Sequence, residues 1–199
     1  MTDPYHARLR APDPGAPLIF AFHGTGGTED QFFDLVRQVR PDAGIVSPRG
    51  DVSEGGAARF FRRTGEGVYD MDDLALRTAR MAGYVADHKA AHPGAPIYGF
   101  GYSNGANILA SVMMARPELF DRVGLLHPLI PWDPAAADLT GRRVLITAGR
   151  RDPICPWPLS ERLIGWTSAQ GAEVATEIHD GGHEIRQGEV AALAGLLTG

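Results

Sequence analysis

Short, unbroken apolar runs alternate along this chain with longer segments whose apolar positions recur at helical spacing. The apolar runs predict strands at 17–24 (PLIFAFHG), 44–50 (GIVSPRG), 96–103 (PIYGFGYS), 122–130 (RVGLLHPLI), 143–150 (RVLITAGR) and 174–180 (VATEIHD). Strands that lack polar alternation belong to sheets covered on both faces, and strands separated by helices belong to parallel sheets. Helices are expected at about 28–39, 70–91, 104–115, 157–169 and 187–197. Asp70, followed by Asp73, supplies a helix start, and Ala75, Ala79, Ala82 and Tyr84 help form an apolar face. The expected class is α/β, with a mostly parallel central sheet and helices on both faces.

Two connections interrupt the alternation. Residues 49–69 include GGAARFFRRTGEGVY, and a connection of that length in a compact fold usually carries function. Residues 130–141 offer only about a dozen positions, too few for a separate cap, so an open, shallow site served by the 49–69 loop is expected. With 199 residues, no repeat and no low-complexity linker, a single domain spanning 1–199 is expected.

The predicted strands carry Gly, His, Ser, Arg or Asp at or near their carboxyl ends, where open α/β sheets place their ligands. Gly101-Tyr102-Ser103-Asn104-Gly105 is a G-x-S-x-G motif between a strand and a helix. Its glycines permit a sharp turn that exposes the serine hydroxyl. A serine that merely caps a helix is the competing explanation. Such a hydroxyl needs a base to take its proton. His183, in DGGHE after the last strand, occupies the place in chain order that a base would take. Asp152, after the strand at 143–150, lies between them and is the expected acid, with Asp133 and Asp138 as rivals that follow no strand end directly. The first strand ends in His23-Gly24-Thr25-Gly26-Gly27, and the amides of Thr25 and Asn104 are the expected oxyanion donors. GTGG lacks the spacing and lysine of a phosphate-binding P-loop.

Composition narrows the partners. A formal charge of −5 disfavours nucleic acid or an anionic membrane as the main partner. No stretch approaches the roughly 20 apolar residues of a membrane span. The first fifteen residues carry no apolar run of a signal sequence, and Cys155 is the one cysteine, so a cytoplasmic protein without an internal disulfide is expected.

These motifs resemble the carboxylesterase/phospholipase branch of the α/β-hydrolases, which includes acyl-protein thioesterases and dienelactone-hydrolase-like enzymes. The nearest likeness is to small bacterial carboxylesterases related to hydroquinone-specific hydrolases. It is carried by HGTGG at 23–27, PRG at 48–50, ARFFRR and EGVYD between 58 and 70, GYSNGA at 101–106, RRDPICP at 150–156 and GGHEI at 181–185. The resemblance runs from about residue 17 to the end of the chain. It implies an α/β-hydrolase fold, a catalytic triad of Ser103, Asp152 and His183, and oxyanion donors at Thr25 and Asn104. Dienelactone hydrolases typically use a cysteine nucleophile where this chain has Ser103, so a lactone-specific role is not carried over.

The resulting expectation is a serine carboxylesterase acting on a small-molecule ester of small to medium size, with no cofactor and no metal. An acyl thioesterase or lysophospholipase would use the same residues, and a non-catalytic ligand-binding module is the alternative from another class. A homodimer is a family-based expectation. Candidate substrate-binding residues are Gly24, Phe60, Phe61, Arg62, His127 and Trp157. Against this stands ordinary packing, with the phenylalanines in the core and the arginines of Arg59-Phe60-Phe61-Arg62-Arg63 solvated. His179 and His183, with Asp180 and Glu184, do not have the spacing of a helical zinc motif. Cys155, between Ile154 and Pro156, is expected to be structural.

Overall fold

The computed structural model describes residues 5–199. Its elements run β1 (Ala7–Arg10), β2 (Leu18–Phe22), α1 (Phe33–Val39), β3 (Gly44–Pro48), β4 (Val52–Glu54), β5 (Ala57–Arg59), β6 (Arg63–Gly65), β7 (Val68–Tyr69) and α2 (Met71–Ala91). Then follow β8 (Ile97–Tyr102), α3 (Asn104–Ala115), a short 3-10 turn at Pro117–Leu119, β9 (Arg122–Leu126), β10 (Arg143–Gly149), α4 (Trp157–Ala169), β11 (Glu173–His179) and α5 (Gln187–Thr198). Seven strands form one sheet in the order β1-β3-β2-β8-β9-β10-β11. Every neighbouring pair is parallel except β1 with β3. This is the α/β-hydrolase architecture, a mostly parallel sheet flanked by helices, and no helix stands between β9 and β10 to form a cap.

The apolar runs are solid because both faces are covered. Leu18, Phe20 and Phe22 of β2 face a core shared with Leu74 and Met81 of α2 and Ile108 of α3. The alternate residues Ile19 and Ala21 face Val36 of α1 and Leu193 and Leu197 of α5. A strand buried on both sides gains from apolar residues at every position. At the edge, β11 carries Glu173 and Thr176 exposed and Glu177 half-buried, which disfavours pairing of a second chain there.

Three expectations change. Strand β1 has no counterpart among the predicted strands, because Ala7-Arg8-Leu9-Arg10 at an antiparallel edge has too few apolar positions to read as a strand, and Leu9 itself is exposed. Helix α1 begins at Phe33 because Thr28–Asp30 are spent on turns, with Gln31 N–H on Thr28 O and Phe33 N–H on Asp30 O. In α2, Asp70 caps Asp73 N–H at 3.0 Å, but Ala75 and Ala79 face solvent. Ala82 and Tyr84 are buried as expected, alongside Leu74, Thr78, Met81 and Val85 of the i, i+4, i+7 stripe.

The 49–69 segment is not irregular. It folds into two small antiparallel hairpins, β4–β5 and β6–β7, over the carboxyl ends of the strands. Phe60 N–H donates to Asn104 Oδ1 at 2.8 Å, Arg62 N–H to Asp73 Oδ2 at 2.7 Å, and Tyr69 hydroxyl to Leu129 O at 2.9 Å. Among the described residues, no helix is long and apolar enough to cross a membrane.

Candidate active site

Strand register assembles the site. Phe22 pairs with Gly101, Tyr102 with Leu126, Leu126 with Thr147, and Gly149 with His179. The segments just beyond these residues therefore emerge side by side, although they are spread over some 160 positions of chain. The chain leaves β2 toward β3 and leaves β8 toward β9, so the crevice of the switch point opens between Thr25 and Ser103.

Ser103 sits in the turn between β8 and α3 with φ 52° and ψ −117°, a conformation that side-chain-bearing residues rarely adopt. Close packing explains both flanking glycines. A Cβ on Gly101 would lie 2.5 Å from the Gly105 backbone, and one on Gly105 would lie 2.4 Å from the Phe22 and His23 carbonyl oxygens. The turn is held by Ser103 N–H on Leu126 O at 2.9 Å.

From the Ser103 hydroxyl a continuous chain of hydrogen bonds runs inward. Ser103 Oγ is 2.9 Å from His183 Nε2, and His183 Nδ1 is 2.7 Å from Asp152 Oδ2. Asp152 is fully buried at its side chain, and its other oxygen accepts Ile154 N–H at 2.8 Å and Cys155 N–H at 2.9 Å. Burial pushes the Asp152 carboxyl upward, but the Cys155 amide, His183, His127 and the Ile154 amide overcome it and hold it below the usual carboxylate range. His183 is carried by a glycine loop packed against the end of β10, where a Cβ on Gly149 would meet Gly182 O at 2.1 Å. Tyr102 hydroxyl donates to His183 O at 2.6 Å and pins the loop from the other side. The rivals lie elsewhere: Asp133 is exposed beside Arg162, and Asp138 accepts Thr140 N–H.

Thr25 and Asn104 stand with Ser103 and His183 around a cleft of about 310 Å³. Among the described residues, neither the Thr25 nor the Asn104 amide donates to a protein acceptor, which leaves two unpaired donors beside the serine. The Thr25 loop is fixed by its neighbours. Arg59 Nη1 donates to Thr25 Oγ1 at 2.8 Å, and His23, buried, accepts Gly50 N–H at Nε2 and donates from Nδ1 to Gly24 O at 2.7 Å.

The remaining cleft wall differs from expectation. Phe60 and Phe61 are 1% and 0% exposed and belong to the core, with Phe60 against the Phe22 and His23 rings. Arg62 points to solvent and pairs with Asp70. Trp157 lies under the Arg150 guanidinium, 4.7 Å away, outside the cleft. Gly24 faces the Tyr102 ring, which a Cβ would approach to 2.8 Å. His127 is wholly buried behind Asp152. The first hairpin instead brings Arg59 to the cleft and the second brings Arg63, Glu66 and Tyr69, joined by Leu129 and Ile154. Successive residues of an extended segment point to opposite sides, so the adjacent Arg59 and Phe60 do not both face the site. The arginine-rich composition of the loop was a signal, but its facing was not.

No family model matches the chain. The Bacillus subtilis (strain 168) protein MhqD, a hydrolase by name, is 36% identical over 175 residues, covering 86% of this chain and 88% of that protein. Among solved structures, the Agrobacterium tumefaciens (strain C58) protein Atu2452, of unknown function, is 54% identical with a TM-score of 0.95, covering 99% of this chain and 98% of its own. The Bacillus cereus carboxylesterase is 33% identical with a TM-score of 0.91, covering 98% and 93%. On fold, on the arrangement at the strand ends and on these likenesses, the chain belongs to the α/β-hydrolases, in the group of small bacterial hydrolases and carboxylesterases that includes MhqD.

Proposed function

We propose that the protein is a serine carboxylesterase that cleaves small to medium carboxylic esters through an acyl-enzyme on Ser103. The observation that carries this is the unbroken Ser103–His183–Asp152 chain of hydrogen bonds at a strained strand-to-helix turn. The name of the Bacillus cereus relative points to the same bond type.

In the first half-reaction His183 Nε2 takes the Ser103 proton as Oγ attacks the ester carbonyl carbon. The carbonyl oxygen becomes an oxyanion between the Thr25 and Asn104 amides, whose lack of other acceptors leaves them free to donate. Asp152 keeps the second His183 proton on Nδ1 and stabilises the imidazolium. Collapse of the tetrahedral species breaks the C–O bond, and His183 passes its proton to the departing alcohol. Water then attacks the acyl-enzyme with His183 as base, releasing the acid and restoring the Ser103 hydroxyl. A cleft of about 310 Å³ lies at the small end of ligand sites, which suits a short acyl chain with the alcohol leaving toward solvent.

A fluorophosphonate probe read by intact mass tests the assignment. One adduct on the wild-type protein and none on Ser103→Ala is expected. A folded wild-type protein that takes no adduct would sink it.

A further inference from the structure

Behind Asp152, on the side away from the cleft, lies a row of buried polar groups that acyl transfer does not use. His127 follows β9 with φ 49°, apart from Ser103 the one non-glycine residue among those described with positive φ. Its Nδ1 is 2.9 Å from Asp152 Oδ2, the oxygen that also meets His183. Its Nε2 is 3.0 Å from Glu189 Oε1, an ion-pair distance off the line of a hydrogen bond, and all three side chains are wholly buried. Glu189, in the first turn of α5, accepts the Thr147 hydroxyl at 2.5 Å and Arg186 N–H at 2.7 Å. His179 Nε2 is 3.1 Å from its second oxygen.

Proton positions follow from these contacts. Gly181 N–H donates to His179 Nδ1 at 3.0 Å, so Nδ1 accepts and the ring proton sits on Nε2, 3.1 Å from Glu189 Oε2 but not hydrogen-bonded to it. The Thr147 hydroxyl and the Arg186 amide both donate to Glu189, which is thereby held as an ionised carboxylate, a group that accepts only. Asp152 is held in the same way. His127 then stands between two acceptors. Either neutral tautomer would leave a ring without positive charge about 3 Å from two carboxylate oxygens, whereas the doubly protonated ring hydrogen-bonds Asp152 through Nδ1 and forms an ion pair with Glu189 at Nε2. A metal ion between His127, His179 and Glu189, whose ligand atoms lie within 4.8 Å, would need the His179 lone pair where the proton sits.

We propose that His127 is held as a buried imidazolium between Asp152 and Glu189, positioning the Asp152 carboxylate and setting the net charge that faces His183. His127 serves catalysis in this way only if His183 and Asp152 act on Ser103 as proposed above. The two carboxylates and one imidazolium sum to a single negative charge, so an ionised His183 meets the charge of one aspartate and not two. The charged and titratable groups around the His127 ring are Asp152, Glu189 of α5, His179 at the end of β11, His183, Tyr102 of β8 and Cys155, whose Sγ lies 3.2 Å from the His127 carbonyl. Burial alone would lower the His127 pKa, but Glu189 and Asp152 outweigh it and raise it above the ordinary histidine value.

Two variants move the net charge in opposite directions. His127→Gln removes the positive charge and Glu189→Gln removes a negative one. The acid limb of the kcat/KM profile with p-nitrophenyl acetate should move to higher pH in the first and to lower pH in the second. For His127→Gln, rings 5.2 Å apart and an effective dielectric of about 20 make a shift of about two pH units. Because neither residue touches the cleft, the loss is expected in kcat with KM little changed. Shifts in the same direction, or none, would overturn the charge role. On the wild-type protein, 15N-histidine NMR should show both His127 ring nitrogens protonated from about pH 5.5 to 8. A neutral pattern there, with Ser103 labelled by the fluorophosphonate, would strike this proposal alone; an unlabelled Ser103 would strike the esterase assignment instead.

Discussion

Replacing Asp152 by asparagine tests the chemistry with almost no change of shape. One carboxylate oxygen accepts the Ile154 and Cys155 amides at 2.8 and 2.9 Å, and the other accepts His183 and His127 at 2.7 and 2.9 Å. Asparagine offers one acceptor oxygen. The two backbone donors cannot rotate away, so the oxygen goes to them and the amide nitrogen faces the imidazoles. That nitrogen donates to His183 Nδ1, which drives the histidine proton to Nε2, the atom 2.9 Å from Ser103 Oγ. A base protonated there cannot take the serine proton. The expected loss in kcat is about 10³–10⁴-fold, or roughly 4–5.5 kcal/mol of transition-state stabilisation. KM should change little, because the Asp152 side chain is buried and meets no substrate. The assay is steady-state hydrolysis of p-nitrophenyl acetate, with a thermal melt to show that the variant is folded. A folded Asp152→Asn within tenfold of wild-type kcat, or one that loses activity through KM alone, would refute the tautomer argument.

Gly105→Ala puts a Cβ 2.4 Å from the carbonyl oxygens of Phe22 and His23, and backbone cannot yield as a side chain does. The expected cost is about 1–3 kcal/mol, at roughly 2–4 °C of Tm per kcal/mol, and an unchanged melting curve would contradict it. Cys155 is buried, and burial pushes its thiol up, so the native protein should resist DTNB at pH 8 and yield one thiol per chain in urea; rapid native reaction would be the contrary result. The acid limb of stability has a definite sign. Asp152 and Glu189 are each pushed up by burial, then held below the usual range by the donors around them. Their contribution is present above the unfolded values near pH 4 and is lost as pH falls through the folded ones. The urea midpoint should therefore drop on the way from about pH 5 to 3, less steeply in Glu189→Gln; a flat or rising midpoint would exclude the carboxylates as the cause. His127 has the opposite sign: raised in the fold, its contribution is full below about pH 6.5 and disappears as pH rises through the folded value.

The strands β2, β3, β8, β9 and β10 could be read from sequence because burial on both faces requires apolar residues at every position, a signal that survives without knowing the neighbours. The turn at Ser103 could be read for a related reason. Its constraints are local: Gly101 and Gly105 leave room that any side chain would fill. Chain order then led to Asp152 and His183, because polar residues just beyond parallel strands share one edge of the sheet. Strand β1 and the two hairpins of the 49–69 segment escaped because they are short and half exposed, so period and composition say little about them.

Sequence alone thus determined the sheet, the sharp turn and the residues at its carboxyl edge, since each follows from the burial or the backbone space of a few consecutive positions. Only the tertiary structure decided which polar group meets which. His127, a candidate for the substrate wall, lies at the back of Asp152 because Leu126 pairs with both Tyr102 and Thr147, which seals β9 inside the sheet. Glu189 meets it from a helix 62 positions further along the chain, with no motif in common. Phe60 went to the core and Arg59 to the cleft because the hairpin docks on Asn104, a contact between segments 44 residues apart. Such pairings depend on register and docking across the whole fold, and no window of neighbouring residues contains them.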